Sequence, residues 1–306
     1  MSKPIVKLGS GYGASFSPDG RFLVTTPSTS PAKVFRTDDW MRSAELESIK
    51  YPRFVWWDRN SATVLVASID KAVGVFDAES GRQLVKWKSP HQEFTPMTVT
   101  PDAKHLVVWK PEDSEQVLLC YSLKTGKCVD RIQLDVPIGR GLRLAAFTTS
   151  GKFLGVVWNE QIMPKVLPRL TVYRWPSMKH VWMTPLKHPV FDRMEGVPGV
   201  DSFCLDRFMA AGITEVSIAD AKSKSRRLIL ADEAKDFGFK FSQCGTRLIY
   251  WYCGFVHLCD VSGKSEHARL TLPGKPRVFE ADLSPCGNLL AVATSAVSVW
   301  NVRDLE

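Results

Sequence analysis

The side chains that could support metal or acid–base chemistry are scattered along this chain of 306 residues. Its histidines form neither an HxxxH nor an HExxH pattern, so no helix would present two imidazoles to one zinc ion. Its cysteines are odd in number and include no CxxC pair, which fits neither a zinc site nor a disulfide framework. We therefore expect reduced cysteines, no metal and no cofactor. The residues concerned are His91, His105, His180, His188, His257, His267, Cys120, Cys128, Cys204, Cys244, Cys253, Cys259 and Cys286.

A glycine-rich segment near the start, Gly9-Ser10-Gly11-Tyr12-Gly13, could suggest a phosphate-binding loop. It lacks the Lys-Ser/Thr pair that completes such a loop, so we interpret it as a flexible connection. No serine lies in a GxSxG elbow, and no nucleophile is paired with a base. We expect a protein that is not an enzyme and has no small-molecule substrate.

The elements that would position any site repeat along the chain. Each unit has an apolar strand, a turn of the Ser/Thr-Pro-Asp-Gly kind, and a second apolar strand. Its third strand ends in an aromatic or apolar residue beside a polar one. The turns are Ser17-Pro18-Asp19-Gly20, Asp58-Arg59-Asn60-Ser61, Thr100-Pro101-Asp102-Ala103, Thr149-Ser150-Gly151, Ser242-Gln243-Cys244-Gly245 and Ser284-Pro285-Cys286-Gly287.

The ends of the third strands give the period of the repeat. Successive equivalent residues are separated by about 41 to 52 positions, the spacing of propeller blades with four strands each. They are Phe35, Phe76, Tyr121, Tyr173, Ile218, Cys259 and Trp300. The fifth unit is the weakest, and Leu205-Asp206-Arg207 is assigned as its turn, with a third strand at Glu215–Ile218 and a fourth at Arg227–Leu230. The sequence thus predicts one all-β domain over residues 1–306, a seven-bladed β-propeller of four-stranded antiparallel blades.

The seventh unit has strands at Arg277–Leu283, Leu289–Thr294 and Val297–Val302, and no residues for a fourth. An orphan strand at Pro4–Leu8 precedes the first unit. We therefore expect the N-terminal strand to pair in the last blade and close the propeller, because closure removes exposed strand edges.

Net charge and hydropathy indicate which classes of binding partner and which cellular location to expect. The net charge of +8 favours anionic partners, including RNA or the ribosome. Met1–Leu8 is not a secretory signal, and the longest apolar stretch, Leu248–Cys259, is shorter than the roughly 20 residues of a membrane span. We expect no membrane association and a location in the cytoplasm, with the nucleus as the alternative.

Several of these motifs resemble the WD40-repeat family over the whole chain. They are the turns Ser17–Gly20 and Ser284–Gly287, the pairs Phe76-Asp77, Cys259-Asp260 and Trp300-Asn301, and the turns Glu79–Gly81, Lys124–Gly126 and Val261–Gly263. No unit carries the family's Gly-His pair, so the resemblance is to diverged members. Three segments, His105–Pro111, Lys124–Cys128 and Val172–Met178, are similar to propellers of translation initiation factors, of the 2A type and of the B subunit of factor 3.

Two excursions from the repeat, Asn159–Arg169 and Pro185–Val200, are predicted to lie side by side as loops on one face. Insertions in repeat folds commonly form the binding face, although such loops also pack on themselves. The candidate partner-binding residues are Ile162, Met163, Lys165, Val166, Leu167, Arg169, Phe191, Arg193 and Met194. The candidate anion- or nucleic-acid-binding residues are Lys222, Lys224, Arg226 and Arg227, in a turn of the fifth unit, with Arg140 and Arg143.

The sequence therefore favours a protein–protein interaction scaffold, one subunit of a larger assembly. The alternative is an RNA- or ribosome-associated propeller, as the similarity to initiation factors implies.

Overall fold

The computed structural model describes residues 3–89, 97–112, 115–136, 141–162, 165–186, 193–206, 213–226, 237–242, 244–261 and 265–305. Within these ranges lie seven four-stranded antiparallel sheets. They confirm the predicted all-β seven-bladed propeller. The only helical element among the described residues is a 3-10 turn at Val302–Asp304.

The chain divides into two compact units, and the first joins Met1–Ser89 to Ala234–Glu306. It holds blades one, two, six and seven. Blade one is β2 (Gly13–Phe16), β3 (Phe22–Thr26), β4 (Ala32–Arg36) and β5 (Arg42–Leu46); blade two is β6 (Pro52–Trp57), β7 (Thr63–Ser68), β8 (Ala72–Asp77) and β9 (Gln83–Lys88). Blade six is β22 (Gly238–Phe241), β23 (Arg247–Tyr252), β24 (Phe255–Asp260) and β25 (Glu266–Thr271); blade seven is β26 (Glu280–Leu283), β27 (Leu289–Ala293), β28 (Ala296–Asn301) and the N-terminal β1 (Val6–Ser10).

The second unit, Pro90–Glu233, holds blades three, four and five. Blade three is β10 (Met97–Val99), β11 (His105–Pro111), β12 (Gln116–Ser122) and β13 (Cys128–Leu134). Blade four is β14 (Leu142–Phe147), β15 (Phe153–Ile162), β16 (Lys165–Arg174) and β17 (Lys179–Pro185). Blade five is β18 (Met194–Gly196), β19 (Ser202–Asp206), β20 (Ile213–Ser217) and β21 (Ser223–Arg226).

The turn chemistry expected from the sequence joins the first two strands of most blades. In six blades a side-chain oxygen accepts a hydrogen bond of 2.9–3.3 Å from the first N–H of the second strand. This bond fixes the turn because it satisfies a backbone donor that would otherwise need water. The acceptors are Ser17, Asp58, Thr100, Thr148, Ser242 and Ser284.

Blade five corrects the sequence analysis. Leu205 and Asp206 belong to its second strand and are not the turn, which instead spans residues 197–201. There the Val197 N–H donates to the carbonyl of Ser202 at 2.9 Å, but Val197 has no side-chain oxygen, so the usual signal is missing. The fourth strand is Ser223–Arg226 and does not begin at Arg227. Its third strand is Ile213–Ser217, and Val216, which pairs with Phe203, takes the repeat position predicted for Ile218.

The N-terminal strand pairs in the last blade, as the sequence predicts. Val6 lies opposite Val299 and Lys7 opposite Ser298, in antiparallel register. Val6 and Leu8 pack against the buried cluster that contains Val297 and Val299. This strand occupies the position that a fourth strand holds in the other six sheets.

A buried carboxylate ties together the first strands of three blades in the first unit. Asp282 of blade seven accepts a hydrogen bond of 2.8 Å from the backbone N–H of Phe16 in blade one. Its other oxygen lies 3.0 Å from the ammonium group of Lys240 in blade six. Asp282 is 7% exposed, so the pair is largely removed from water.

Candidate functional site

The third and second strands of blade four extend well beyond the rest of their sheet. β15 and β16 have 10 residues each and pair continuously from Phe153 opposite Arg174 to Ile162 opposite Lys165. The flanking strands stop earlier. The pairing of β14 with β15 ends at Trp158, and the pairing of β17 with β16 ends at Arg169. We call residues 159–162 and 165–168 the ribbon, since they form a two-stranded extension.

The ribbon corrects the prediction that Asn159–Arg169 is a loop. Its length in excess of the repeat indicates an insertion, and the structure places these residues in longer strands, with Pro168 tolerated within the pairing. It has no N–H to pair, and its carbonyl accepts a bond of 2.8 Å from the N–H of Leu186. On the other edge, the N–H of Asn159 donates to the carbonyl of Gly141 at 3.3 Å. Beyond these two bonds no third strand of the described chain flanks the ribbon.

The ribbon carries most of the predicted partner-binding residues. Ile162, Lys165 and Val166 belong to it by their backbone pairing, and Leu167 is a half-buried ribbon residue. Arg169 lies at its base, opposite Pro185. Met163 lies outside the described residues.

The second predicted excursion, Pro185–Val200, contains strand residues at position 185 and at positions 194–196 among its described residues. Pro185 ends β17, and Met194 begins the first strand of blade five. Met194 is 8% exposed and packs in a core cluster with Leu205, so it cannot contribute to an exposed docking surface. Arg193 is half-buried, and its N–H donates to Asp206 at 2.8 Å. Phe191 lies outside the described residues.

The predicted basic residues do not form one patch. Lys222 is exposed and lies 3.7 Å from Asp220, in the turn before the outer strand of blade five. Lys224 and Arg226 belong to that strand rather than to the turn. Arg143 is exposed on β14, which is the first strand of the blade-four sheet and not its outer strand. Arg140 and Arg227 lie outside the described residues.

An open cavity of about 460 Å³ that the sequence did not indicate lies in the second unit. It is lined by Phe153 of blade four and by residues of blade five that include Asp201, Ser202 and Glu215. Asp201 accepts a hydrogen bond of 2.6 Å from Ser150. No group of three or more metal-ligating side chains occurs within the described ranges. The same ranges contain no helix of the length and hydropathy that a membrane crossing requires.

The exposed cysteines differ in their hydrogen bonds. Cys244 and Cys286 occupy the turn position that Asp19 and Asp102 hold in blades one and three. Partial burial acts to raise the pKa of Cys244, but hydrogen bonds from Ser242 and Thr246 outweigh it and lower that pKa. The pKa of Cys286 is lowered in the same way against partial burial, by Ser284 and the backbone of Asn288. A position that stabilises a carboxylate therefore also stabilises a thiolate.

We predict that Cys244 and Cys286 react with iodoacetamide at neutral pH several-fold faster than Cys128. Cys128 is the exposed comparison residue, and its thiol donates a hydrogen bond to the carbonyl of Asp130 at 3.4 Å. Burial raises the pKa of Cys120 to about 12 and that of Cys259 to about 11, so both should stay unmodified in the folded protein. Time-resolved alkylation with peptide mass spectrometry measures all the rates together; Cys128 reacting as fast as Cys244 would contradict the assignment.

His257 is a buried residue of β24 and is 2% exposed. Its ring stacks on Tyr250 and Tyr252, with centroids 4.6 and 5.4 Å away. Its Nδ1 lies 3.3 Å from a carboxylate oxygen of Glu266. Burial lowers the pKa of His257, and the neighbouring Glu266 opposes this only in part.

A lowered pKa in the folded state makes stability depend on pH. The unfolded chain binds a proton on His257 near pH 6.5, whereas the folded chain resists it to lower pH. The contribution is therefore complete above about pH 6.5 and is lost as the pH falls from there towards the folded pKa. We predict that His257→Phe, which keeps a stacking ring, weakens the acid loss of stability measured by urea unfolding at pH 7.5 and 5.5. An identical pH dependence in both proteins would contradict this.

Comparison with known proteins supports the fold but does not identify a family. No protein-family model matches the sequence, and no curated protein matches it. The β-propeller domain of Cps50 (Swd1) from Myceliophteria thermophila superposes with a TM-score of 0.76 at 13% identity, covering 98% of this chain and 99% of that chain. Hydrazine synthase from Kuenenia stuttgartiensis gives a TM-score of 0.74 at 14% identity, covering 98% of each chain. Identities this low establish a similar propeller fold alone, and fold does not determine function.

Proposed function

We propose that this chain is a non-enzymatic interaction propeller that acts as a scaffold or as one subunit of a larger protein assembly. The observation that carries the proposal is the ribbon of blade four. The four-stranded sheet of blade four supplies the base, and the ribbon extends beyond the flanking strands of that sheet.

The ribbon is suited to a partner that contributes an extended segment. Past Asn159 and Pro168, no strand formed by the described residues flanks either edge of the ribbon. An exposed strand edge offers backbone donors and acceptors, and binding proteins use such edges to add a strand from a partner. The partner we propose is therefore an extended strand of another protein, aligned along the ribbon.

The RNA- or ribosome-associated alternative draws no support from the basic residues first considered for it. Arg143 lies on the first strand of blade four, whereas Lys222 lies in the turn before the fourth strand of blade five. Exposed ion pairs such as Lys222–Asp220 contribute little free energy. We place the proposed scaffold in the cytoplasm or nucleus, without a cofactor.

Site-specific photo-crosslinking tests the docking surface directly. A photoreactive phenylalanine analogue replaces Leu167 on the ribbon and, as a matched control, Val129 on the outer strand of blade three. Val129 is 55% exposed and Leu167 is half-buried, so greater access to solvent cannot explain adducts that form at position 167 alone. We expect discrete protein adducts in native extract from position 167 only. Equal adducts at both positions, or none at position 167, would overturn the proposal.

A further inference from the structure

The first unit carries a row of equivalent residues just before the first strands of its blades. In blades one and seven these are Tyr12 and Phe279, whose N–H groups each donate to the last carbonyl of the second strand at 2.9 Å. The same distance from the turn gives Phe237 in blade six. In blade two the same distance from the turn gives Arg53, an exposed residue that lies within β6 at a register shift. The repeat thus presents three aromatic rings and a cation at one end of four first strands.

The connection between blades six and seven is held tightly over the hairpin between β23 and β24. The N–H of Leu272 donates to the carbonyl of Gly254 at 2.8 Å. Gly254 has a φ of +80°, and a Cβ there would lie 2.3 Å from the Cα of Lys275, so only glycine permits this approach. The close contact fixes the backbone of Lys275 against the hairpin, and its ammonium group lies 5.3 Å from the ring centroid of Phe255.

A second cation stacks two residues further along the same connection. The guanidinium carbon of Arg277 lies 5.1 Å from the ring centroid of Phe279. Phe279 in turn meets Tyr12 edge to face, with centroids 4.6 Å apart. Lys275 and Arg277 are both exposed, and Tyr12 is 36% exposed. We call Tyr12, Phe255, Lys275, Arg277 and Phe279 the aromatic rim.

We infer that the aromatic rim binds single-stranded nucleic acid, with bases stacking on Tyr12 and phosphates meeting Lys275 and Arg277. Proteins that bind single strands combine aromatic platforms with cations that follow the backbone. The stacking of Lys275 and Arg277 on aromatic rings fixes the distance between each cation and its ring, so that each positive charge stays beside an aromatic surface. The net charge of +8 favours the approach of a polyanion.

An acidic protein segment would satisfy the cations but not the rings. Base stacking on an aromatic side chain contributes about 1–3 kcal/mol, and a polycarboxylate has no flat ring to exploit it. The repeated aromatic position therefore favours a nucleic acid over an acidic peptide. This surface lies in the first unit and does not use the ribbon, so its test is independent of the proposed scaffold function.

Fluorescence anisotropy with the full chain tests the inference. The probes are a labelled oligoadenylate RNA of about 12 nucleotides, within the usual site sizes, the matching DNA, an abasic phosphodiester oligomer of equal length and a polyglutamate peptide. The variants are Tyr12→Ala, Tyr12→Phe, Arg277→Ala and Lys275→Ala. Arg303→Ala is the matched control, because Arg303 is exposed in the 3-10 turn that follows the third strand of blade seven.

We expect RNA or DNA to bind and the abasic oligomer to bind at least about tenfold more weakly, as a lost stacking contact implies. Tyr12→Ala should weaken binding about tenfold, while Tyr12→Phe stays close to wild type. Arg277→Ala and Lys275→Ala should each lower the slope of log affinity against log salt by about 1, whereas Arg303→Ala should not. Tighter binding of the RNA than of the matching DNA would identify RNA as the natural ligand. No binding by the wild type, an unchanged Tyr12→Ala variant, or polyglutamate binding equal to RNA would overturn the inference.

Discussion

Removal of Met1–Leu8 is expected to lower the free energy of unfolding by about 4 kcal/mol. The deleted segment contributes the pairing of β1 with β28 and the packing of Val6 and Leu8 on the cluster around Val299. Two half-buried aliphatic side chains and about three backbone hydrogen bonds account for that magnitude. The melting temperature should fall by about 8 °C or more, since each kcal/mol shifts a chain of this size by roughly 2 °C.

The matched control removes only Met1–Lys3, which precede β1. The N–H of Ile5 still reaches the carbonyl of Val299 at 2.8 Å in that shorter deletion, so its melting curve should match the wild type. Equal stability of the two deletions would contradict the role of β1 in completing blade seven. Differential scanning calorimetry measures both.

Replacement of Asp282 by alanine is expected to destabilise the chain by about 3–5 kcal/mol. The change leaves the N–H of Phe16 without its acceptor and leaves the ammonium group of Lys240 beside a buried space. The loss is large because Asp282 is buried and both of its oxygens have partners, so the variant removes a backbone hydrogen bond and a charge contact together. Urea unfolding at neutral pH gives the change in free energy.

A double-mutant cycle supplies the control. Lys240→Met combined with Asp282→Ala should cost less than the sum of the two single losses, since the two side chains lie 3.0 Å apart and share one interaction. Asp282→Asn should lose less than Asp282→Ala, because the amide oxygen can still accept from Phe16. A loss below about 1 kcal/mol for Asp282→Ala would show that this pair does not hold the three first strands together.

The blades could be predicted from the sequence wherever a turn carries its own side-chain acceptor. Ser17 and Ser284 mark their turns chemically, and the structure places them as expected. The turn of blade five was assigned to the wrong residues because Val197 forms the same backbone turn without a side-chain oxygen. The N-terminal strand could be predicted because blade seven visibly lacked one strand.

The candidate sites depended on geometry that local patterns do not encode. The excess length of the fourth unit indicates an insertion but not its structure, and the pairing of Pro168 with Asn159 shows that the extra residues continue the strands. Met194 looked like an exposed loop residue because a three-residue strand has too few positions to display alternation. The aromatic rim was missed because Tyr12 and Phe279 come from opposite ends of the chain and meet only through the closure of blade seven with blade one.

The cysteine and histidine environments were also predictable from the repeat only in part. Cysteine at the aspartate position of a turn is readable from the aligned repeat, but the opposite hydrogen bond at Cys128 is not. The burial of His257 between two tyrosine rings also needed the strand register, which sets Tyr250 directly opposite it.

Docking of this propeller into a protein assembly through the ribbon of blade four, as proposed above, can be tested by quantitative affinity purification from native extract. The bait proteins are the wild type and a variant in which a two-residue Asn-Gly turn replaces Glu160–Leu167, each with and without RNase. We expect a set of proteins that survives RNase and is lost from the trimmed variant, while both bait proteins keep the same melting temperature. Capture that is unaffected by trimming, or that RNase abolishes completely, would contradict it.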